Sequence, residues 1–176
     1  MSGYNTYSAT FTGLNPGTSA TTVIAELICN GLAQIQLLRV LVSGTEATAA
    51  ASIPCSLIKE STNSTLGTKT AATGVPWTTQ NTVAPTATLN GYTVTPTAGT
   101  LVGVIATEQL VLGLGAAAVG ANQVIFDFAS IFGVSFQVPS LNLVTEAFAI
   151  TLNNTTPANA PALNISFWWQ EVPLLT

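Results

Sequence analysis

The sequence predicts an all-β protein, an antiparallel two-sheet β-sandwich whose simplest form is a jelly roll. Three observations lead to this prediction. β-branched and aromatic residues alternate with polar ones at a period of two, clusters of Gly, Pro and Asn interrupt these runs, and no segment sustains a helical apolar stripe. With 176 residues, we expect a single domain over 1–176 whose core needs neither disulfides nor metals.

The first strands are expected close to the start of the chain. Residues 1–20 are predicted to form an N-terminal arm or an edge strand, because Tyr7, Ala9 and Phe11 alternate with polar residues. A second strand is predicted over 23–27, where alternate side chains point to opposite faces.

A turn and a central strand come next. Asn30 and Gly31 both tolerate positive φ, so they predict a tight hairpin after the second strand. The run 35–42 is apolar on both faces except for Gln36 and Arg39, which predicts a central strand covered on both sides. Arg39 is therefore expected either to have a charged partner or to lie at the rim.

The middle of the chain divides into a strand and a long irregular segment. Residues 53–57 alternate like a strand, and 46–51 are the best helical candidate, of a turn or two at most. Residues 61–100 are rich in Thr, Ser, Asn, Gly and Pro, which predicts a long surface excursion with at most short edge strands. Trp77 and Tyr92 lie within it, so part of this segment is expected to pack on something.

Strands are predicted again in the second half of the chain. We expect them at 110–114, 124–128, 134–138, 148–152 and 163–169. If Phe167 and Trp169 face the core in the last of these, Trp168 must face the other way. Trp168 then either covers an edge of the barrel or anchors an interface, because Trp is enriched at binding hot spots.

The charge content is unusually low. Three basic and seven acidic residues give a formal net charge of −4, and charged residues make up 6% of the chain, against about 25% in ordinary soluble domains. We expect such a chain to sit in an assembly, and the alternative is a Thr-rich sandwich that stays monomeric. Arg39, Lys59 and Lys69 are too few to neutralise a phosphate backbone, so no nucleic acid is expected as a partner.

Neither a membrane nor an export signal is predicted. The N-terminal residues have no positive region followed by an apolar one. The apolar stretches 101–106 and 110–121 are too short and too interrupted to span a bilayer. Cys29 and Cys55 lie in strand-like runs and are expected as buried thiols, with a disulfide between them as the alternative.

The residue content argues against catalysis, metals and cofactors. Without histidine the chain has no Ser-His-Asp or Cys-His mechanism, and two cysteines alone cannot complete a zinc site. Most of the seven carboxylates are expected as solvated charges at strand ends, not as the facing pair that a glycosidase needs. They are Glu26, Glu46, Glu60, Glu108, Asp127, Glu146 and Glu171. We therefore predict a protein that is not an enzyme and has no cofactor.

Several stretches resemble small all-β structural proteins of tailed bacteriophage virions. TTVIAEL at 21–27 and IQLLRVLVS at 35–43 are similar to the opening of these proteins, PCSLIKE at 54–60 to a following strand, and NISFWWQEV at 164–172 to their close. The resemblance covers most of 21–172. It implies a β-sandwich or jelly-roll head decoration (cement) protein, made in the host cytoplasm and located on the capsid surface. Such proteins commonly form trimers that bridge major capsid proteins.

The leading hypothesis is therefore a capsid decoration protein that forms a homotrimer and binds the major capsid protein. One alternative is a carbohydrate- or receptor-binding jelly-roll module of a viral fibre or tail, with Trp77, Tyr92 and Trp168 as candidate interface residues. The other is a shell subunit with a single jelly roll.

Overall fold

The protein has an all-β fold. The computed structural model describes residues 5–17, 23–46, 51–78, 82–114, 122–128, 138–153 and 161–174. These residues form twelve strands and no helix, which confirms the predicted class. Accordingly, the described ranges contain no helix long and apolar enough to cross a membrane.

The strands are β1 (Asn5–Leu14), β2 (Ala25–Ile28), β3 (Ala33–Glu46), β4 (Ala51–Glu60), β5 (Thr68–Ala72), β6 (Val75–Pro76), β7 (Thr88–Val94), β8 (Leu101–Leu114), β9 (Val124–Asp127), β10 (Ser140–Leu141), β11 (Ala147–Thr151) and β12 (Ala162–Pro173). Their order in the sheet is β5-β7-β2-β11-β4-β8-β3-β12-β1-β6, and both β9 and β10 pair with β3.

One short parallel contact divides this sheet into two halves. β3 and β8 pair in parallel through Thr45 with Gly113 and Glu46 with Leu114, whereas the other described strand pairs are antiparallel. We call β1, β3, β6, β9, β10 and β12 half A, and β2, β4, β5, β7, β8 and β11 half B. The sheet is therefore mixed, and not antiparallel throughout.

Among the described residues, the larger of two buried clusters takes side chains from both halves. Tyr7 and Trp169 of half A belong to the same buried cluster as Leu27, Leu57 and Phe148 of half B. Removing this apolar surface from water is the main stabilising contribution to such a fold, at about 25 cal/mol per Å². Because one cluster joins both halves, the sheet must curl around it.

β3 and β12 form the long central strand pair of half A. They pair from Ala33 opposite Pro173 to Thr45 opposite Ala162. β3 alternates between buried and half-buried residues, so the prediction of a central strand is confirmed in its position. The prediction that both of its faces are covered is wrong, because the outer face of half A stays partly open to solvent.

The Asn30-Gly31 pair does not close a hairpin, which corrects the prediction. β2 lies in half B and β3 in half A, so the two strands are not neighbours. Gly31 has the expected positive φ of 76°. However, the Asn30 amide donates to the carbonyl oxygen of Thr86 at 2.5 Å, and its oxygen accepts from the Leu32 N–H at 3.1 Å. The turn thus carries the chain from one half to the other.

The segment 61–100 is largely exposed, as predicted, and its short strands β5 and β6 lie at the two edges of the sheet. It differs from the predicted excursion in β7, which lies inside half B between β5 and β2. Leu89 and Tyr92 of β7 are buried. The strand escaped prediction because Asn90 and Gly91, both depleted in strands, occupy its centre.

The remaining strand predictions have mixed outcomes. The strands expected at 124–128 and 148–152 are present as β9 and β11, and 110–114 is the end of the longer β8. Within 1–20, β1 pairs along its length with β12 and briefly with β6. The helical candidate at 46–51 and the strand at 134–138 fall largely on 47–50 and 134–137, outside the described residues.

Candidate functional site

The first part of β8 forms an open edge of half B. β4 pairs with one side of β8 from Leu101 to Leu112. On its other side, β3 reaches only Gly113 and Leu114, and the Asn122 side chain binds the backbone of Gln109 and Val111. Over 101–108 no described strand pairs with the backbone N–H and C=O groups on this side.

This edge is apolar. Leu101, Val102 and Val104 are 56%, 60% and 57% exposed. β-bulges at Val102 and Ile105 interrupt the pairing with β4, and a bulge places neighbouring residues on the same side. Edges of soluble proteins are commonly protected by charged side chains, Pro or β-bulges. Residues 101–108 have the two bulges and Glu108 but neither Lys nor Pro. The three exposed apolar side chains nevertheless give the β8 edge the properties of an association surface.

A second surface lies on half A, where a row of directly opposed residues crosses five strands. The row runs Val75, Ser8, Trp168, Arg39, Asp127. Directly opposed residues point to the same face of a sheet. Trp169, next along β12, is buried in the core, so the row lies on the outer face.

A β-bulge shapes this row at its centre. Trp168 lies opposite Arg39, but Trp169 lies opposite Leu37, so Leu38 is the extra residue on β3. Bulges bend a strand, increase its twist and re-aim its side chains, and they are frequent beside functional sites. Here the bulge brings Leu38 to the side of Arg39 and Trp168, where all three line one depression.

Trp77 completes this depression, which has a volume of about 150 Å³. It follows β6, and its backbone N–H donates to the carbonyl oxygen of Thr6 at 2.9 Å. Its side chain is 62% exposed, whereas Trp168 is half-buried. We call Leu38, Arg39, Trp77 and Trp168 the tryptophan cleft.

An ion pair borders the tryptophan cleft. Arg39 Nη2 lies 2.5 Å from Asp127 Oδ2, so Arg39 has the first of its two expected environments, a partner or a rim position. Sequence reasoning missed the role of Asp127, because 88 positions separate the two residues. Only the register of β3 with β9 brings them together.

Two of the three predicted interface residues meet in the cleft, and the third lies elsewhere. Trp77 and Trp168 share it. Tyr92 is buried in half B, and its hydroxyl donates a short hydrogen bond to Glu26 Oε1. Tyr92 is therefore not part of an exposed aromatic platform.

A buried polar cluster surrounds Tyr92. Glu26 and Glu60 are both buried, and the Ser64 N–H donates to Glu26 Oε2 at 3.0 Å. Burial, together with the nearby charge of Glu26, raises the pKa of Glu60 from 4.5 to about 7. Burial and the hydrogen bond to Glu26 also raise the pKa of Tyr92. Glu60 is thus the member of this cluster whose pKa is raised toward neutral pH.

The prediction that most carboxylates are solvated is wrong, because Glu26, Glu46, Glu60 and Glu171, four of the seven, are buried. The two acids of half B nevertheless lack the layout of a glycosidase pair. Both oxygens of Glu26 accept hydrogen bonds from the protein, whereas Glu60 borders a depression of about 230 Å³. Among the described residues no group of three or more His, Cys, Asp or Glu is placed to hold a metal.

The two cysteines are free and buried, as predicted. Burial raises the pKa of the Cys55 thiol to about 12 and also raises that of Cys29. Because the thiolate is the reactive form, neither is activated as a nucleophile at neutral pH.

Comparisons with known proteins give no relative. A scan of protein-family models, a search of curated proteins and a search of solved structures each found no match to this chain. The resemblance of 21–43 and 164–172 to virion proteins stays a prediction, and the function has to be argued from the surfaces described above.

Proposed function

We propose that this protein is a non-enzymatic structural component of a virus particle, a decoration protein on the capsid surface. In this role a homotrimer bridges major capsid proteins and stabilises the shell. The supporting observation is the open apolar edge formed by residues 101–108 of β8. A sheet edge with unpaired backbone groups accepts a strand from another chain, and Leu101, Val102 and Val104 give that contact an apolar surface.

The composition supports the same role. Charged residues make up only 6% of the chain, so a large contact can form without the cost of stripping water from many charges. A trimer placed at symmetry-related positions on a shell repeats a modest contact several times, and the repeated contacts give strong net attachment.

The jelly-roll form of the fold belongs to this proposal. One core cluster has side chains from both halves, while a two-residue parallel pairing is the backbone link described between them. Two layers packed on a common core would have both properties. An experimentally determined structure in which the halves do not face each other across the core would exclude this form.

The proposed absence of catalysis also rests on named groups. The chain has no histidine, its thiols have raised pKa values, and Glu26 is fully engaged by Tyr92 and Ser64.

The oligomeric state tests this function. Size-exclusion chromatography with light scattering is expected to give a discrete trimer. Val102→Lys places a charge on the β8 edge and should dissociate the trimer or abolish its co-sedimentation with capsid shells. The matched control is Val94→Lys, because Val94 is also exposed, at 55%, but lies on β7.

Three outcomes would contradict the proposal. The first is a monomer at all concentrations without affinity for shells, and the second is equal behaviour of the two lysine variants. Closed particles formed by the isolated chain would identify a shell subunit in place of a decoration protein, and electron microscopy would reveal them.

A further inference from the structure

The tryptophan cleft places two large aromatic rings beside a charged pair on the outer face of half A. Trp77, Trp168 and Leu38 supply apolar surface, and Arg39 supplies hydrogen-bond donors next to the carboxylate of Asp127. Apolar walls with a few placed polar groups are the usual composition of small-ligand sites. The proposed association through β8 uses half B and leaves this cleft unexplained.

We propose that the tryptophan cleft binds a single neutral sugar ring, a pyranoside of a surface glycan. The site is independent of the β8 edge and adds a binding activity to the proposed structural role.

The size of the cleft supports one ring. Its volume is about 150 Å³, whereas pockets for drug-sized ligands have about 300–1,000 Å³. A nucleotide or an extended peptide would therefore have most of its surface outside the cleft, while one sugar ring matches its scale.

The aromatic walls match the apolar face of a sugar. A pyranose ring carries its C–H groups on its faces and its hydroxyls around its rim. The face of an indole ring has a partial negative charge, which attracts the weakly positive C–H groups of a stacked sugar. Trp77 and Trp168 supply two such rings.

The Arg39 guanidinium matches the hydroxyls of the rim. It lines the cleft and has five N–H donors, of which those on Nη2 lie beside Asp127, and a sugar hydroxyl can accept from the others. The charge of Asp127 balances that of Arg39 at 2.5 Å. Because the pair has no net charge and the whole chain has −4, a neutral sugar is favoured over an acidic one.

The backbone around the cleft is held in place before any ligand arrives. Trp168 lies inside half A between β1 and β3, and the bulge at Leu38 sets the side chains beside it. The Trp77 backbone is hydrogen-bonded to Thr6. Rigid elements of this kind lower the ordering cost of binding.

A glycan array and calorimetry test the site. The labelled wild-type protein is expected to bind neutral glycans, and isothermal titration with methyl pyranosides of glucose, galactose, mannose and N-acetylglucosamine should identify the preferred ring. Trp77→Ala and Trp168→Ala should each weaken binding roughly 30-fold, the loss typical of a hot-spot Trp. Trp77→Phe should keep most of the affinity, because it retains an aromatic ring.

Two controls separate sugar binding from other effects. Leu143→Ala removes an exposed apolar side chain outside the cleft and should change nothing. Circular dichroism checks that the variants fold, and Trp77, being exposed, can be removed with little effect on the core. Absence of binding to any glycan would overturn the proposal, as would affinity unchanged in both alanine variants. If the alanine variants lost attachment to capsid shells while the wild-type protein bound no sugar, the cleft would be a protein contact and the proposal would be overturned.

Discussion

The carboxylate of Glu171 accepts a hydrogen bond of 3.0 Å from the indole Nε1 of Trp169. It also accepts hydrogen bonds from the backbone N–H groups of Thr86 and Ala87, each at 2.9 Å, and from the Thr86 hydroxyl at 2.8 Å. This buried carboxylate thus joins the last strand to the chain segment that leads into β7.

Replacing Glu171 with Gln is expected to destabilise the protein by roughly 2–4 kcal/mol. The amide N–H group of Gln would point at the N–H and O–H groups of Thr86, Ala87 and Trp169, which in the wild type donate to the carboxylate. Some of these donors would then lack an acceptor. Urea unfolding followed by Trp fluorescence measures the effect. Glu108→Gln is the control, because Glu108 is exposed and should change stability by less than about 0.5 kcal/mol. Equal effects of the two substitutions would contradict this account.

The pKa of Glu60 makes stability depend on pH. Its pKa is raised from 4.5 to about 7, so between these values the folded state binds a proton that the unfolded state has lost. Stability from this group is therefore greatest below pH 4.5 and falls as the pH rises to about 7. The full difference corresponds to roughly 3 kcal/mol.

Glu60→Gln should remove this decline and be more stable than wild type above pH 7. Urea unfolding of both proteins at pH 5 and pH 8 measures the difference. An identical pH dependence in the two proteins would show that Glu60 is ionised without cost in the fold.

Replacement of Gly99, in the loop before β8, and of Gly103, within β8, is expected to have different effects on stability. A Cβ on Gly99 would lie 1.7 Å from the carbonyl oxygen of Thr62 and 3.1 Å from Glu60 Oε2, whereas one on Gly103 would meet nothing within 4 Å. Gly99→Ala should therefore destabilise the protein by about 1–3 kcal/mol. Gly103→Ala should be neutral or stabilise it by up to about 1 kcal/mol. Thermal unfolding of both variants checks the contrast, and a stable Gly99→Ala protein would contradict it.

The two thiols should resist chemical labelling in the folded protein. Cys29 and Cys55 are fully buried, and both have raised pKa values. We expect Ellman's reagent at pH 8 to react with neither until a denaturant is added, and then with both. Rapid labelling under native conditions would mean that the strands around them open readily.

The sequence was informative where a residue's immediate neighbours decide its environment. Period-two alternation predicted the all-β class, and the place of Trp168 between Phe167 and Trp169 predicted its outward orientation. The same local reasoning found that Arg39, within an apolar run, needs a partner or a rim position. Each of these properties depends on the strand itself.

The rest depends on which strands become neighbours. The sequences of the strands that contain Glu26 and Glu60 do not indicate a buried polar cluster. Only the sheet order places Tyr92 and Ser64 around these two residues. Asn30 and Gly31 have hairpin chemistry, but the tertiary bond from Asn30 to Thr86 redirects the turn. The tryptophan cleft likewise arises from pairings of β1, β3, β6 and β12 that no single segment specifies.

The brief contact of β3 with β8 has a thermal consequence. Each half is held by long ladders of backbone hydrogen bonds, whereas the halves share an apolar core and a few polar contacts, such as that of Glu171 with Thr86. Apolar association weakens on cooling. Near freezing, we therefore expect the shared core to lose cohesion before the ladders within each half.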